Sequence, residues 1–293
     1  MTLDVPAAVS RTCLGLVGAP ARVAHRLSAR SRTVVYRAFL TDGRSVVVKV
    51  YAATARRNAI TEAAALRAVA AHVAVPAVLA YGQVPGQGAT ALVTADLGPL
   101  TLGSAVRSGR VSDEQALRDL GDLLGHLHRV PVQPWAARRP LHEQVTSLGR
   151  RCPLSTLERI GPALATIADV PAAASVWCHG DLHGDNVVIV GSEAVSHLID
   201  FTDAAVGPRE SDVAQTLVMT GALASARARM VTHAYPLPLD RSQLAAWAVF
   251  HTVRCWAHSV PGDDRSQWAG RLDELSRRTP HLFRAPRPER TYR

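Results

Sequence analysis

Residues 176–201 read VWCHGDLHGDNVVIVGSEAVSHLIDF, and this stretch constrains the 293-residue chain more tightly than any other. A polar cluster, His179-Gly-Asp181-Leu-His183-Gly-Asp185-Asn186, stands between apolar runs. Val187–Val190 and Ser196–Ile199 read as short strands, and Gly191-Ser-Glu-Ala-Val195 between them has the length of a hairpin loop. If Val190 pairs with Ser196, stepping outward places Asn186 opposite Asp200 on one face, with Cβ atoms about 5 Å apart. An amide oxygen and a carboxylate converging in this way suit a hard cation such as Mg²⁺. Asp181 then stands upstream, in a glycine-containing loop, as a separate carboxylate. Asp, Asn and Gly are also ordinary turn residues. The chain has only two asparagines, however, and the cluster is more polar than a turn requires.

The rest of the chain frames this island asymmetrically. An amphipathic stretch from Asp4 to Leu16 precedes three β-rich runs, Ala21–Leu27, Thr33–Leu40 and Ser45–Tyr51. Asp42-Gly43 joins the last two as a hairpin signal. A helix over Ala55–Val73 follows, then strands near Ala77–Tyr81 and Ala89–Thr94. Beyond Leu97-Gly98-Pro99 the pattern turns helical. Helices are expected over Ser112–Arg129, Leu154–Ala168 (broken at Pro162), Glu210–Ala224, Arg241–Val260 and Arg265–Arg278. The expectation is an α+β chain with a small β-rich lobe at 1–95 and a larger helical lobe at 96–293.

Composition narrows the function classes. Hydrophobic content of 47% with 19% charged residues describes a globular protein. No apolar run reaches the ~20 residues of a membrane helix. The N-terminus carries an acid early and lacks a basic start before a continuous apolar stretch, so no secretory signal is read. The four cysteines are dispersed and form no CxxC pair, which fits a reducing cytoplasm. The net charge of +9 comes from arginine, and no zinc-finger spacing, RNA-binding aromatic motif or sustained basic helix accompanies it. The excess therefore reads as a solvated surface without nucleic-acid binding.

HGDLHGDN followed by LIDF resembles the signature of the aminoglycoside phosphotransferase and choline kinase superfamily, relatives of the protein kinases. The resemblance implies a bilobal protein-kinase-like fold and transfer of phosphate from ATP, with GTP left open, to a hydroxyl on a small molecule. It implies that Asp181 is the catalytic base and that Asn186 and Asp200 hold Mg²⁺ on the nucleotide phosphates. The family places a lysine on the third strand, and VVVKV supplies Lys49, the only lysine in the chain. Glu62 is placed to fix it, because it shares a helical stripe with Leu66, Val69 and Val73 and an acid there needs a cation. Val93–Leu97 takes the place of the interlobe hinge, so the backbone at Thr94 and Ala95 is expected to meet the adenine. Leu124–His128 resembles the helix before the catalytic loop, and Asp212 matches an aspartate that buttresses that loop. The sequence departs from the pattern at Ser28–Arg32, a first turn without glycine, and at Asp185 and Asp203, both read as surface charge.

Two other readings compete: a binding or regulatory protein on the same fold, and a two-metal hydrolase built on His179, Asp181, His183 and Asp200. The intact Lys49, Asp181, Asn186 and Asp200 set disfavours the first, and the second leaves Lys49 unexplained. The acceptor would meet residues 205–293, which hold 13 arginines against 8 acids. That balance favours a neutral, weakly cationic or acidic acceptor, such as a sugar, nucleoside or less basic antibiotic, over a polycation. The enzyme is expected to be a monomer or a homodimer.

Overall fold

The computed structural model describes residues 7–30, 32–169, 175–191, 195–223, 226–259 and 262–284. Asp4, residues 192–194, Ala224, Val260 and the chain from 285 onward, on which some expectations fall, lie outside them. By spatial contacts the chain divides into two compact units, Met1–Val111 with Gly184–Ala204, and Ser112–His183 with Ala205–Arg293. The division differs from the one expected at residue 95, because the 187–198 hairpin joins the N-terminal sheet unit. Ile189 N–H donates to Leu100 O, Leu198 N–H donates to Ala74 O, and Thr101 bridges Val188.

The first unit is built on a five-stranded antiparallel sheet: β1 (Ala21–Arg30), β2 (Thr33–Leu40), β3 (Ser45–Tyr51), β4 (Val78–Gln83) and β5 (Thr90–Ala95), in the order β1-β2-β3-β5-β4. The β1–β2 pairing runs on to Arg30 opposite Thr33, so Ser28–Arg30 of the turn expected at Ser28–Arg32 belong to β1. Alternation along β3 sorts its side chains. Val46 and Val48 are buried in a core with Val9 and Cys13 of helix α1 (Ala7–Val17). Lys49 and Tyr51 point to the other face, where helix α2 (Arg56–Val69) buries Glu62, Leu66 and Val69 as a stripe. A short helix α3 (Leu102–Arg107), absent from the sequence expectations, starts at a capping box made by Thr101 and Ser104.

The second unit is mainly helical. Its long helices are α4 (Asp113–His128), α8 (Arg209–Met219), α10 (Arg241–His258) and α11 (Asp263–Arg278). Shorter ones are α5 (Leu141–Gly149), α6 (Leu154–Arg159), α7 (Gly161–Ala168) and α9 (Ala226–Ala234). The break foreseen at Pro162 is the start of α7, where proline occupies the first turn. Strands β6 (Ser175–Cys178) and β9 (Ala205–Pro208) pair antiparallel, while β7 (Val187–Val190) and β8 (Val195–Leu198) form the hairpin of the first unit. Trp247 and Phe250 are fully buried in the helical core, with Trp256 and Trp268 packed against it. Among the described residues no helix is long and apolar enough to cross a membrane.

His251 on α10 lies inside this core, 1% exposed and stacked on Trp247, and burial drives its pKa well below the usual histidine value. The unfolded chain then binds a proton near pH 6.5 that the folded chain refuses, so this residue removes stability as pH falls. The loss is at most about 1.4 kcal/mol per pH unit below ~6.5. Urea melts from pH 7 to 5 should show this slope, and His251→Gln should flatten it; an unchanged slope would contradict the assignment.

Candidate active site

Two sets of candidate residues stand out, one within each unit. In the first unit, Lys49 on β3 is the centre. Its Nζ lies 2.9 Å from Glu62 Oε2 and 2.6 Å from Asp200 Oδ1, and it also donates to Thr202 Oγ1. The Tyr51 hydroxyl, two residues along the same strand face, donates to Glu62. Burial by itself would strip the proton from Lys49, yet the Glu62 and Asp200 carboxylates outweigh it and hold the ammonium above the usual lysine range. Burial pushes the Glu62 carboxyl up, against the pull of Lys49. One ammonium thus faces two carboxylates, leaving a local surplus of negative charge.

Asp200 is the only described non-glycine residue with positive φ, at 61°. This left-handed kink ends the β8 side of the hairpin and starts a 3₁₀ turn, Phe201–Asp203, with Phe201 completely buried. The hairpin register differs by one residue from the expected one. Val190 pairs with Val195, Val187 with Leu198, and Ile199 N–H donates to Asn186 O. Asn186 is therefore opposite Ile199, and the kink, rather than simple cross-strand opposition, directs the Asp200 carboxylate. The slip has a physical origin: β7 is apolar at every position, so no alternation fixes its register.

Asn186 is buried at the end of a 3₁₀ turn, Gly184–Asn186, seated on the start of α3. A Cβ on Gly184 would come within 2.9 Å of the Gly103 backbone nitrogen, so this approach requires glycine. Asp185 is exposed, as expected of a surface charge, but it is also engaged. Its carboxylate accepts from Arg107 Nη2 at 2.9 Å and from Thr101 Oγ1 at 3.2 Å. The Asn186 amide oxygen and the Asp200 carboxylate are hard-oxygen groups of the kind that could hold a divalent cation.

Thr94 and Ala95 lie inside the sheet. Thr94 is 8% exposed and opposite both Val47 and Val78, and Ala95 N–H already donates to Ala77 O. An adenine contact through the Ala95 donor would have to displace that bond. The chain leaving β5 is tied down by Asp96, which accepts from Ser45 Oγ at 2.6 Å and Gly98 N–H at 3.0 Å and forms an ion pair with Arg37, whose Nε lies 2.8 Å away.

In the second unit the organising group is Asp212, in the first turn of α8 and 1% exposed. Its carboxylate accepts from His179 N–H at 2.7 Å, Gly180 N–H at 2.8 Å and His128 Nε2 at 3.1 Å. His128, at the end of α4, meets the Tyr235 hydroxyl through its other nitrogen at 2.6 Å. Burial disfavours the Asp212 charge, but His128, His179 and the Gly180 amide overcome it and hold the carboxyl below the usual range. The buttress expected of Asp212 is thus present. Cys178 joins His128 and Asp212 in a buried group with metal-ligand chemistry, but both Asp212 oxygens are already taken by donors. Asp181 follows directly on the anchored Gly180; its N–H donates to His179 Nδ1 at 3.3 Å, and its carboxylate lies 3.9 Å from His183 Nε2. His179 is fully buried and committed to this loop, which leaves it unsuited to the two-metal hydrolase reading.

Comparison with known proteins identifies the family and the fold. The profile of the phosphotransferase enzyme family (APH) matches residues 24–248. A homoserine kinase of Pseudomonas aeruginosa (strain LESB58) is 33% identical over 168 residues, covering 52% of this chain and 53% of that protein. The chain spans about half the length of the curated relatives it matches. Among solved structures, amicoumacin kinase hAmiN in complex with AMP-PNP, Ca²⁺ and Ami has a TM-score of 0.70 at 16% identity, covering 96% of this chain and 95% of that one. The GDP and kanamycin complex of APH(2")-IIia has a TM-score of 0.67 at 15% identity, with 92% and 98% covered. At these identities the likeness is one of fold: the protein-kinase-like α+β fold expected from the sequence.

Asp212→Ala should cost about 3 kcal/mol, because it orphans two loop amides and a buried histidine at once. Urea unfolding followed by tryptophan fluorescence would read this directly, and a loss below ~1 kcal/mol would contradict the hub.

Proposed function

Because the chain belongs to the phosphotransferase enzyme family, we propose that it moves the γ-phosphate of ATP, with GTP as the alternative donor, to a hydroxyl of a small molecule. The observation that carries the proposal is the sole lysine of the chain, held by Glu62 and Asp200 in a buried cluster with surplus negative charge. In this reading Lys49 is a compact point charge for the α/β-phosphates, and Glu62 sets its position. Asn186 and Asp200 hold Mg²⁺, which when bound neutralises charge on the phosphate oxygens. Asp181 orients the acceptor hydroxyl and accepts its proton as the phosphate ester forms. The Asp212 hub fixes the backbone at His179 and Gly180, and with it the origin of the Asp181 side chain. Thr94 and Ala95 border the base, through groups other than the Ala95 N–H. The four cysteines are free in the structure, in keeping with a cytoplasmic enzyme.

The acceptor is assigned by charge and by relatives. The arginine excess from residue 205 onward disfavours a polycation, since two like charges ~5 Å apart repel by about 3 kcal/mol at an effective dielectric near 20. The curated relatives are named homoserine kinases, and homoserine is a zwitterion without net charge, with one carboxylate, one ammonium and the hydroxyl two carbons from the α-carbon. A hydroxy amino acid or another neutral, weakly cationic or acidic hydroxyl compound satisfies both observations.

Asp181→Asn should lower kcat by at least ~10² while nucleotide affinity stays within a few-fold of wild type. Activity within a few-fold of wild type would remove Asp181 from its role, and full turnover in excess EDTA would remove the cation from the reaction. Across a panel of homoserine, choline, a nucleoside, a neutral sugar and kanamycin, kcat/KM should be highest for a neutral, weakly cationic or acidic acceptor. Kanamycin as the best substrate, with a micromolar KM, would overturn the charge argument.

A further inference from the structure

Thr202 was not among the residues singled out by the sequence, yet its hydroxyl touches all three charged members of the first-unit cluster. Oγ1 lies 2.5 Å from Lys49 Nζ, 2.6 Å from Asp200 Oδ1 and 3.0 Å from Glu62 Oε2. The left-handed conformation of Asp200 and the 3₁₀ turn after it bring the hydroxyl back over the carboxylate two residues earlier.

Counting donors shows what this arrangement permits. An ammonium has three N–H groups, and here they meet Glu62, Asp200 and Thr202. For Lys49 to reach a phosphate, at least one of these contacts has to be exchanged. A threonine hydroxyl has two lone pairs and a single proton. It can accept from Lys49 while donating to Asp200 or to Glu62, but not to both at full strength. The shorter separation assigns the proton to Asp200 in the structure as it stands. Glu62 Oε2 meanwhile accepts from the Tyr51 hydroxyl.

We propose that Thr202 is a positioning residue that couples cation occupancy at Asp200 to nucleotide capture by Lys49, through a hydroxyl proton that turns from Asp200 to Glu62. When the Asp200 carboxylate is drawn into a cation site, its contacts with Lys49 and Thr202 weaken together. Thr202 keeps accepting from Lys49 and swings its own proton to Glu62, so the ammonium stays in place with one donor released toward phosphate. No bond is made or broken beyond hydrogen bonds, and no net proton is gained or lost. This mechanism rests on the phosphotransferase reading of the site, because it assumes that Lys49 receives phosphate and Asp200 a divalent cation.

The test is equilibrium binding, separate from turnover. Binding of a fluorescent ADP analogue to the full chain is titrated without Mg²⁺ and at saturating Mg²⁺, and the ratio of the two Kd values is the coupling factor. Thr202→Val keeps the shape and removes the hydroxyl, and it should reduce that factor about tenfold, the worth of one hydrogen bond to a charged group. Thr202→Ser should restore it to within about threefold of wild type. Thermal melts establish that the variants fold, and Thr202→Ala replaces the valine variant if that one does not. A wild-type coupling factor retained by Thr202→Val or Thr202→Ala would overturn the proposal, as would a serine variant no better than valine. A wild type that binds no nucleotide would instead overturn the phosphotransferase reading beneath it. A wild type that binds nucleotide with no Mg²⁺ dependence would overturn the coupling alone.

Discussion

A buried ammonium that keeps its proton is the constraint on which the first unit depends. Removing Lys49 from water costs several kcal/mol unless opposite charge meets it. The fold supplies that charge from two separate segments, Glu62 from α2 and Asp200 from the end of the β7–β8 hairpin, with the neutral hydroxyl of Thr202 beside Asp200 as a third acceptor. The strand alternation of β3, the apolar stripe of α2 and the attachment of the hairpin to Ala74, Leu100 and Thr101 all serve to bring these groups together. The result carries one positive charge against two negative ones, a balance that a divalent cation and a polyphosphate can complete.

The second unit solves the opposite problem, a buried carboxylate. Asp212 is stabilised by two backbone amides and a histidine, so its charge holds the loop that leads into Asp181. The loop needs no regular secondary structure at that point because its amide donors end on a carboxylate instead of on a neighbouring strand. His128 and Tyr235 extend the network to the end of α4 and the segment after α9, which makes the loop part of the helical core.

The sequence made some of this legible because a pattern was broken there. Lys49 stood out as the only lysine, inside an apolar strand, and Glu62 as an acid on an inward-facing stripe. Both breaks have one physical cause, a charge that needs a partner. The hairpin register was not legible, since the uniformly apolar β7 reads equally well in two registers. Tyr51 was read only as a strand former, although its period-two relation to Lys49 places it on the same face. Thr202 left no pattern, because its role comes from a positive φ at the preceding aspartate that no periodicity encodes. The short elements α3 and β9 were missed for a similar reason. The first is held by a capping box and by contact with the 184–186 turn, and the second contains Gly207 and Pro208, which weaken any strand signal.

The central claim is that Asn186 and Asp200 form a divalent-cation site that belongs to the nucleotide complex. Electron paramagnetic resonance of Mn²⁺ tests it most directly, by counting bound ions as metal is titrated into the protein with ADP present. The account predicts nucleotide-dependent Mn²⁺ binding by the wild-type chain that weakens at least tenfold in Asp200→Ala, with the variant still folded. Equal Mn²⁺ binding by the wild type and a folded Asp200→Ala would contradict it.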